Sequence, residues 1–141
     1  ANSFIGGNTM GGNTMANAGS MEIMPTACSI GEGVLECGEK YRIALSVGNR
    51  GGEGVRYHIK WEGVSGNVKV VEKPGGVVAA GISVAVVLEI HGQEQGEAVD
   101  GNVVIKSQND VVSIPINGVF GNKGNGYATF VKKNKFLSKV Q

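Results

Sequence analysis

The chain lacks an apolar run of the roughly 18 residues that a membrane-spanning helix needs. Its longest apolar stretch, 77–90, is interrupted by Ser83 and Glu89. No basic segment followed by an apolar one opens it, so no signal peptide is visible. With only three prolines and no collagen period, it is not a fibrous protein. Its two cysteines, Cys28 and Cys37, fall far short of the density of a secreted disulfide scaffold. Neither has a CxxC partner and the two histidines lie far off, at 58 and 91, so a zinc site is short of ligands. Both cysteines are therefore expected to be reduced, small and mostly buried.

Catalytic motifs are missing as well. GxSxG, HExxH and the phosphate-binding P-loop do not occur, and no Gly-Lys-Ser/Thr follows the glycine-rich start. His58 sits between Arg56 and Lys60 on the polar side of a candidate strand, and His91 sits at a turn. Both read as solvent-exposed rather than catalytic. Glu89, Glu94, Glu97 and Asp100 gather around one loop, but without the spacing of a calcium site. They are expected to be a solvated acidic loop. The sequence thus predicts no enzyme, no cofactor and no metal.

What is abundant is glycine, 24 of 141 residues, more than twice the usual share of roughly 7%. Five of these glycines fall in residues 1–20, which hold no charge and repeat GGNTM at 6–10 and 11–15. Such a segment buries too little apolar surface to offset its ordering entropy, so a flexible leader is expected. The verbatim duplication reads as a cloning or linker remnant. The net charge of +1 is a cancellation: five lysines and no acid lie in 122–141. The other eight basic residues face all twelve acidic ones, a net of −4. The predicted organisation is a leader over 1–20, one folded domain over 21–121 and a basic extension over 122–141.

Within the domain the hydrophobic period is two. Tyr41, Ile43, Leu45 and Val47 alternate with Lys40, Arg42, Ala44 and Ser46. Val55, Tyr57, Ile59 and Trp61 alternate with Arg56, His58 and Lys60, and Ile82 to Ile90 and Val112 to Ile116 behave likewise. Shorter candidates lie at 21–30, 67–72 and 102–107. Glycine-, asparagine- and proline-containing turns separate them, and no segment shows a capped helical period. About seven alternating strands in roughly 100 residues predict an all-β fold, an antiparallel β-sandwich, with a closed barrel as the competitor. Trp61 is expected to be partly buried with its indole N–H seeking an acceptor. Pro115 places its strand at an edge, or at a position turned from its neighbour.

Laid end to end, these pieces resemble the Hydin-type ASH domain, a relative of the major sperm protein and PapD-like immunoglobulin folds. Pro25 precedes a first strand ending in Ile30-Gly31, and Cys37-Gly38-Glu39 is similar to the family's "vGe" turn. Asn49 stands at its "tNxg" position, and Val55-Arg56-Tyr57-His58-Ile59 resembles "vrfri". Pro74 to Ile82 resembles the loop into strand E, with Ala80 where the family has proline before Gly81. Val87 to Ile90, Val103 to Ile105 and Val112 to Gly118 resemble the last strands, closing in "ipixG". Ile30 replaces an aromatic, and no proline occurs around Gly92. The resemblance covers about 23–120 and implies an immunoglobulin-like sandwich.

By the same resemblance, the domain is a non-catalytic docking or scaffold module. It would belong to a larger cytoplasmic, cytoskeletal protein of the cilium, flagellum or centrosome, with acidic or microtubule-associated protein partners. Two alternatives stand beside it: a VAP-like domain that binds acidic peptide motifs, and a periplasmic PapD-like chaperone. Two basic features are candidate partner sites. One is the strand face of Arg56, His58 and Lys60, spanning about 13 Å and extended by Lys69 and Lys73. The other is the tail, with Lys132, Lys133 and Lys135 interleaved with Phe130, Phe136 and Leu137. The tail reads equally as a packed extension. Nucleic acid is not expected beside an acidic body, and the isolated domain is expected to be monomeric.

Overall fold

The computed structural model of the chain describes residues 16–18 and 20–141. The strands are β1 (Ala16–Ala18), β2 (Met21–Met24), β3 (Cys28–Ser29), β4 (Leu35–Glu36), β5 (Lys40–Asn49), β6 (Val55–Arg56) and β7 (His58–Gly63). They continue with β8 (Val68–Glu72), β9 (Val77–Val78), β10 (Ser83–His91), β11 (Ala98–Lys106), β12 (Val111–Gly121) and β13 (Leu137–Lys139). One helix, α1 (Tyr127–Lys133), lies between β12 and β13.

Two sheets carry the fold. One runs β1–β2–β5–β10–β8, with β13 also paired to β5; the other runs β3–β12–β11–β7, with β4 also paired to β12. A two-stranded ribbon joins β6 and β9. All pairings are antiparallel except those of β3 and β4 with β12. The alternation read from the sequence is the alternation found: along β5, Tyr41, Ile43, Leu45 and Val47 are buried while Lys40, Arg42, Ala44 and Ser46 are exposed. Val86, Leu88 and Ile90 face them from β10, and Val103, Ile105, Ile114 and Ile116 close the core from the second sheet. The expected antiparallel sandwich is therefore present.

Several expected strands are divided, each for a local reason. The 21–30 candidate breaks at Pro25, and its halves enter different sheets as β2 and β3. The 55–61 candidate breaks at Tyr57: β6 pairs with β9 and β7 pairs with β11. Ile82 falls outside β10 and is half exposed rather than inward. Pro115 sits one residue before β3 begins to pair with β12, so the outer edge of β12 is open there. The helix has no side-chain cap and only seven residues. Its formation rests on packing of Tyr127, Phe130 and Val131, an i, i+3, i+4 set lying against the core. Of the expected leader, residues 1–15 and 19 lie outside the described residues, whereas Ala16–Ala18 pair with β2.

Glycine serves the fold through close approach as well as turns. A Cβ on Gly92 would lie 2.3 Å from the Phe120 ring. Gly81, with φ +81°, turns the chain into β10 in a conformation that L side chains rarely adopt. Both cysteines are free, and burial pushes the Cys28 thiol up to about 12. Trp61 is half-buried and donates its indole N–H to the Ser65 carbonyl at 3.2 Å.

The one fully buried polar side chain among the described residues is Asn49. Its Nδ2 donates to the carbonyls of Glu53 (2.8 Å) and Val78 (2.9 Å), and its Oδ1 accepts from the Gly51 amide at 3.0 Å. Its own backbone bonds Ile82 and Gly81. Asn49→Ala leaves several of these groups buried without a partner, at roughly 1–3 kcal/mol each. Urea denaturation is expected to show a lower midpoint with an unchanged m-value, a loss on the order of 3 kcal/mol. Asn49→Asp, which keeps the acceptor but loses both donors, should also destabilise. Wild-type midpoints in both variants would refute this role.

Candidate functional site

The structure separates the expected strand-face residues. His58 and Lys60 lie exposed on β7, which among the described residues pairs with β11 on one side only and so forms a sheet edge. Arg56, equally exposed, belongs to the β6–β9 ribbon, opposite Val77. Lys69 and Lys73 do not extend this face: β8, which carries Lys69, pairs with β10 in the other sheet. There Lys69 contacts Glu89 at 3.7 Å, and Arg42 contacts the same carboxylate at 3.6 Å.

A basic residue that sequence reasoning missed completes the β7 face. Lys106 of β11 stands opposite His58, on the same side of the sheet. Only register reveals this, because 48 positions separate the two residues. Lys60 is partly neutralised by Glu62, at 2.7 Å, and that ammonium holds the Glu62 carboxyl below its usual range. The face therefore presents His58, Lys106 and a Lys60–Glu62 pair, with Arg56 nearby in the chain but in another ribbon.

The second candidate, the basic tail, is packed. Leu137 is buried, and β13 pairs with Tyr41, Arg42 and Ile43 of β5. The Tyr127 ring lies tilted against Tyr41, 5.8 Å between centroids, and its hydroxyl accepts from the Lys139 amide at 2.8 Å. Lys139 Nζ lies 5.1 Å from the Tyr127 ring centroid, within cation–π range. Phe130 and Phe136 meet edge to face at 5.8 Å. This ordering leaves Lys132, Lys133 and Lys135 exposed. Lys132 and Lys133 occupy the last turn of α1, where the helix dipole favours cations. Lys133 and Lys135 line a cleft of about 710 Å³ against the outer face of the β5 sheet.

Among the described residues, no group of three or more His, Cys, Asp or Glu side chains is placed to hold a metal. His91 Nε2 lies 2.9 Å from Gln93 Nε2. The acidic loop is exposed, with Glu94 and Asp100 open to solvent, and it is also internally hydrogen-bonded. Glu97 Oε1 accepts from the amides of Gln93 (2.9 Å) and Glu94 (3.2 Å), and its Oε2 accepts from Asn67 Nδ2 at 2.9 Å. No helix among the described residues is long and apolar enough to cross a membrane.

No protein-family model and no curated protein sequence matches this chain. Solved structures do. The chain is similar to the ASH/PapD-like domain of human CEP192 (PapD-like domain 7), with a TM-score of 0.55 and 15% identity. That likeness covers 72% of this chain and 84% of the other. It is also similar to the VesB protease of Vibrio cholerae, with a TM-score of 0.50 and 11% identity, over 73% of this chain and 32% of that one. At these identities the likeness is one of fold, and the fold is ASH/PapD-like.

The backbone amides of Gln93 and Glu94, aided by the Asn67 amide, hold the Glu97 carboxyl below its usual range against the opposing effect of burial. A depressed folded value contributes stability above the ordinary carboxylate range, which is lost as pH falls through the folded value. The protection factors of the Gln93 and Glu94 amides, taken against the base-catalysed intrinsic exchange rate at each pH, are thus expected to fall on acidification. Glu97→Gln should show that lower protection already at neutral pH. Protection that is independent of pH in the native chain would rule out the carboxylate as the organiser of this loop.

Proposed function

We propose that the chain is a non-catalytic protein-docking module of a larger cytoskeletal protein. The observation that carries this reading is the edge strand β7, whose backbone is unpaired on one side among the described residues while its exposed face is basic. An extended segment of a partner could add to that edge through main-chain hydrogen bonds. His58, Lys60 and Lys106, with Arg56, would select for acidic sequence and speed encounter. The ASH/PapD-like fold supports the reading as a type, since a rigid sandwich holds such an edge in place. The placement in a cilium, flagellum or centrosome, with acidic or microtubule-associated partners, rests on the family resemblance. The module acts as a monomer and takes no cofactor.

A VAP-like domain that captures acidic motifs would use the same kind of charge, and differs in needing no larger scaffold. A periplasmic chaperone would donate a strand to a client in an oxidising compartment. Its half-buried Cys37 would be prone to oxidation there, which favours the first reading.

The test is a pull-down from a ciliated-cell extract with the intact chain, followed by salt titration of the captured partner. Arg56→Glu with Lys60→Glu is expected to weaken capture by about tenfold and to flatten its salt dependence. Thermal unfolding run in parallel should show little change, because both side chains are exposed. Capture that is indifferent to both substitutions would reject the β7 surface.

A further inference from the structure

The cleft beside Lys133 and Lys135 arises where two strands share one edge of β5. β2 pairs with Ser46–Asn49 and β13 pairs with Tyr41–Ile43, and a gap remains between them. The Ala44 amide donates to the Phe136 carbonyl at 2.9 Å, which fixes the α1–β13 junction as one wall. Met24 and Pro25, at the end of β2, form the opposite wall. The floor is low because the outward residues here are small: Ala85 stands opposite Ser46, and Ser83 opposite Gly48. Further along the same two strands the outward residues are long and charged, with Arg42 opposite Glu89 and Lys40 opposite His91. The sheet surface therefore steps down into the cleft.

Its chemistry is one-sided. Met24 is 46% exposed although it is a large apolar residue. Ala44, Val84, Ala85 and Phe136 supply further apolar surface. Two lysines and no acidic residue line it, and neither lysine makes an ion pair among the described residues. An apolar depression with cations on one rim complements an apolar side chain flanked by carboxylates. A bilayer fits it poorly, since insertion requires protruding apolar side chains and these are recessed between walls.

The geometry points to this cleft as a docking site for an extended acidic peptide segment that inserts one bulky apolar side chain between Met24 and Phe136. Its carboxylates pair with Lys133 and Lys135. This site rests on the docking-module reading but is separate from the β7 edge, being on the outer face of the other sheet.

The experiment titrates a short fluorescein-labelled peptide, with a central Phe between runs of Glu, into the intact chain by fluorescence anisotropy. Control peptides carry Ala for Phe or Lys for Glu. Ala85→Trp fills the floor, and Lys133→Glu with Lys135→Glu reverses the rim. All three positions are exposed, and thermal unfolding confirms folding. Binding is expected to fall about tenfold or more with either change, and with either control peptide. Binding that survives both substitutions, or that is lost only with Arg56→Glu and Lys60→Glu, overturns the cleft while leaving the docking module standing. Absence of measurable peptide binding to the native chain also overturns it, without touching the extract pull-down. Capture of phosphatidylserine vesicles in place of the peptide, abolished by the same variants, overturns the peptide as occupant.

Discussion

The carboxamide of Asn49 is the constraint on which the rest of this sandwich depends. It ends the longest strand of the first sheet and binds main-chain groups of the 50–54 loop and of β9. Being fully buried, it has no water to replace a lost partner. Three features follow from this single side chain. β5 stops where it does, the ribbon of β6 and β9 is held to the sandwich, and the chain reaches Gly81 in position to start β10. Arg56, one of the candidate binding residues, is placed through that ribbon.

How far the residues themselves announced this structure depends on whether the determining contact is local. β5 and β10 were legible because their alternation is long and unbroken, and nine consecutive register pairs realise it. Asn49 and Gly81 were legible as turn chemistry, although the reach of Asn49 to Val78 was not. The break at Tyr57 was hidden because Val55 to Trp61 alternates without interruption; only pairing partners separate β6 from β7. The same ignorance of partners put Lys69 beside Lys60, when the chain had crossed to the other sheet. The helix escaped because its apolar set spans little more than one turn and no cap announces it. The cleft had no signature at all, since its floor is an absence of bulk at four positions on two strands.

The charge distribution takes on a different meaning once folded. A net body charge of −4 and a tail of +5 left the tail open between a basic partner-binding segment and a packed extension. In the structure the tail is laid down against Tyr41, so its exposed lysines project from an anchored backbone. Charges on an anchored backbone lose less entropy on binding than those on a mobile one, so a smaller number of them suffices for selectivity. The β7 face works in the opposite sense, because Glu62 already neutralises part of it.

The placement of β13 has a consequence for the solubility of the sandwich. Together, β2 and β13 cover one flank of β5 over most of its length. Without residues 127–139, the main chain of Tyr41–Ala44 would be an uncovered strand edge above a bare aromatic ring. Such edges recruit strands from neighbouring molecules and nucleate aggregation. The C-terminal segment is thus a guard rail as much as a presenter of lysines, and a fragment cut at the end of β12 would be sticky for reasons unrelated to any natural partner.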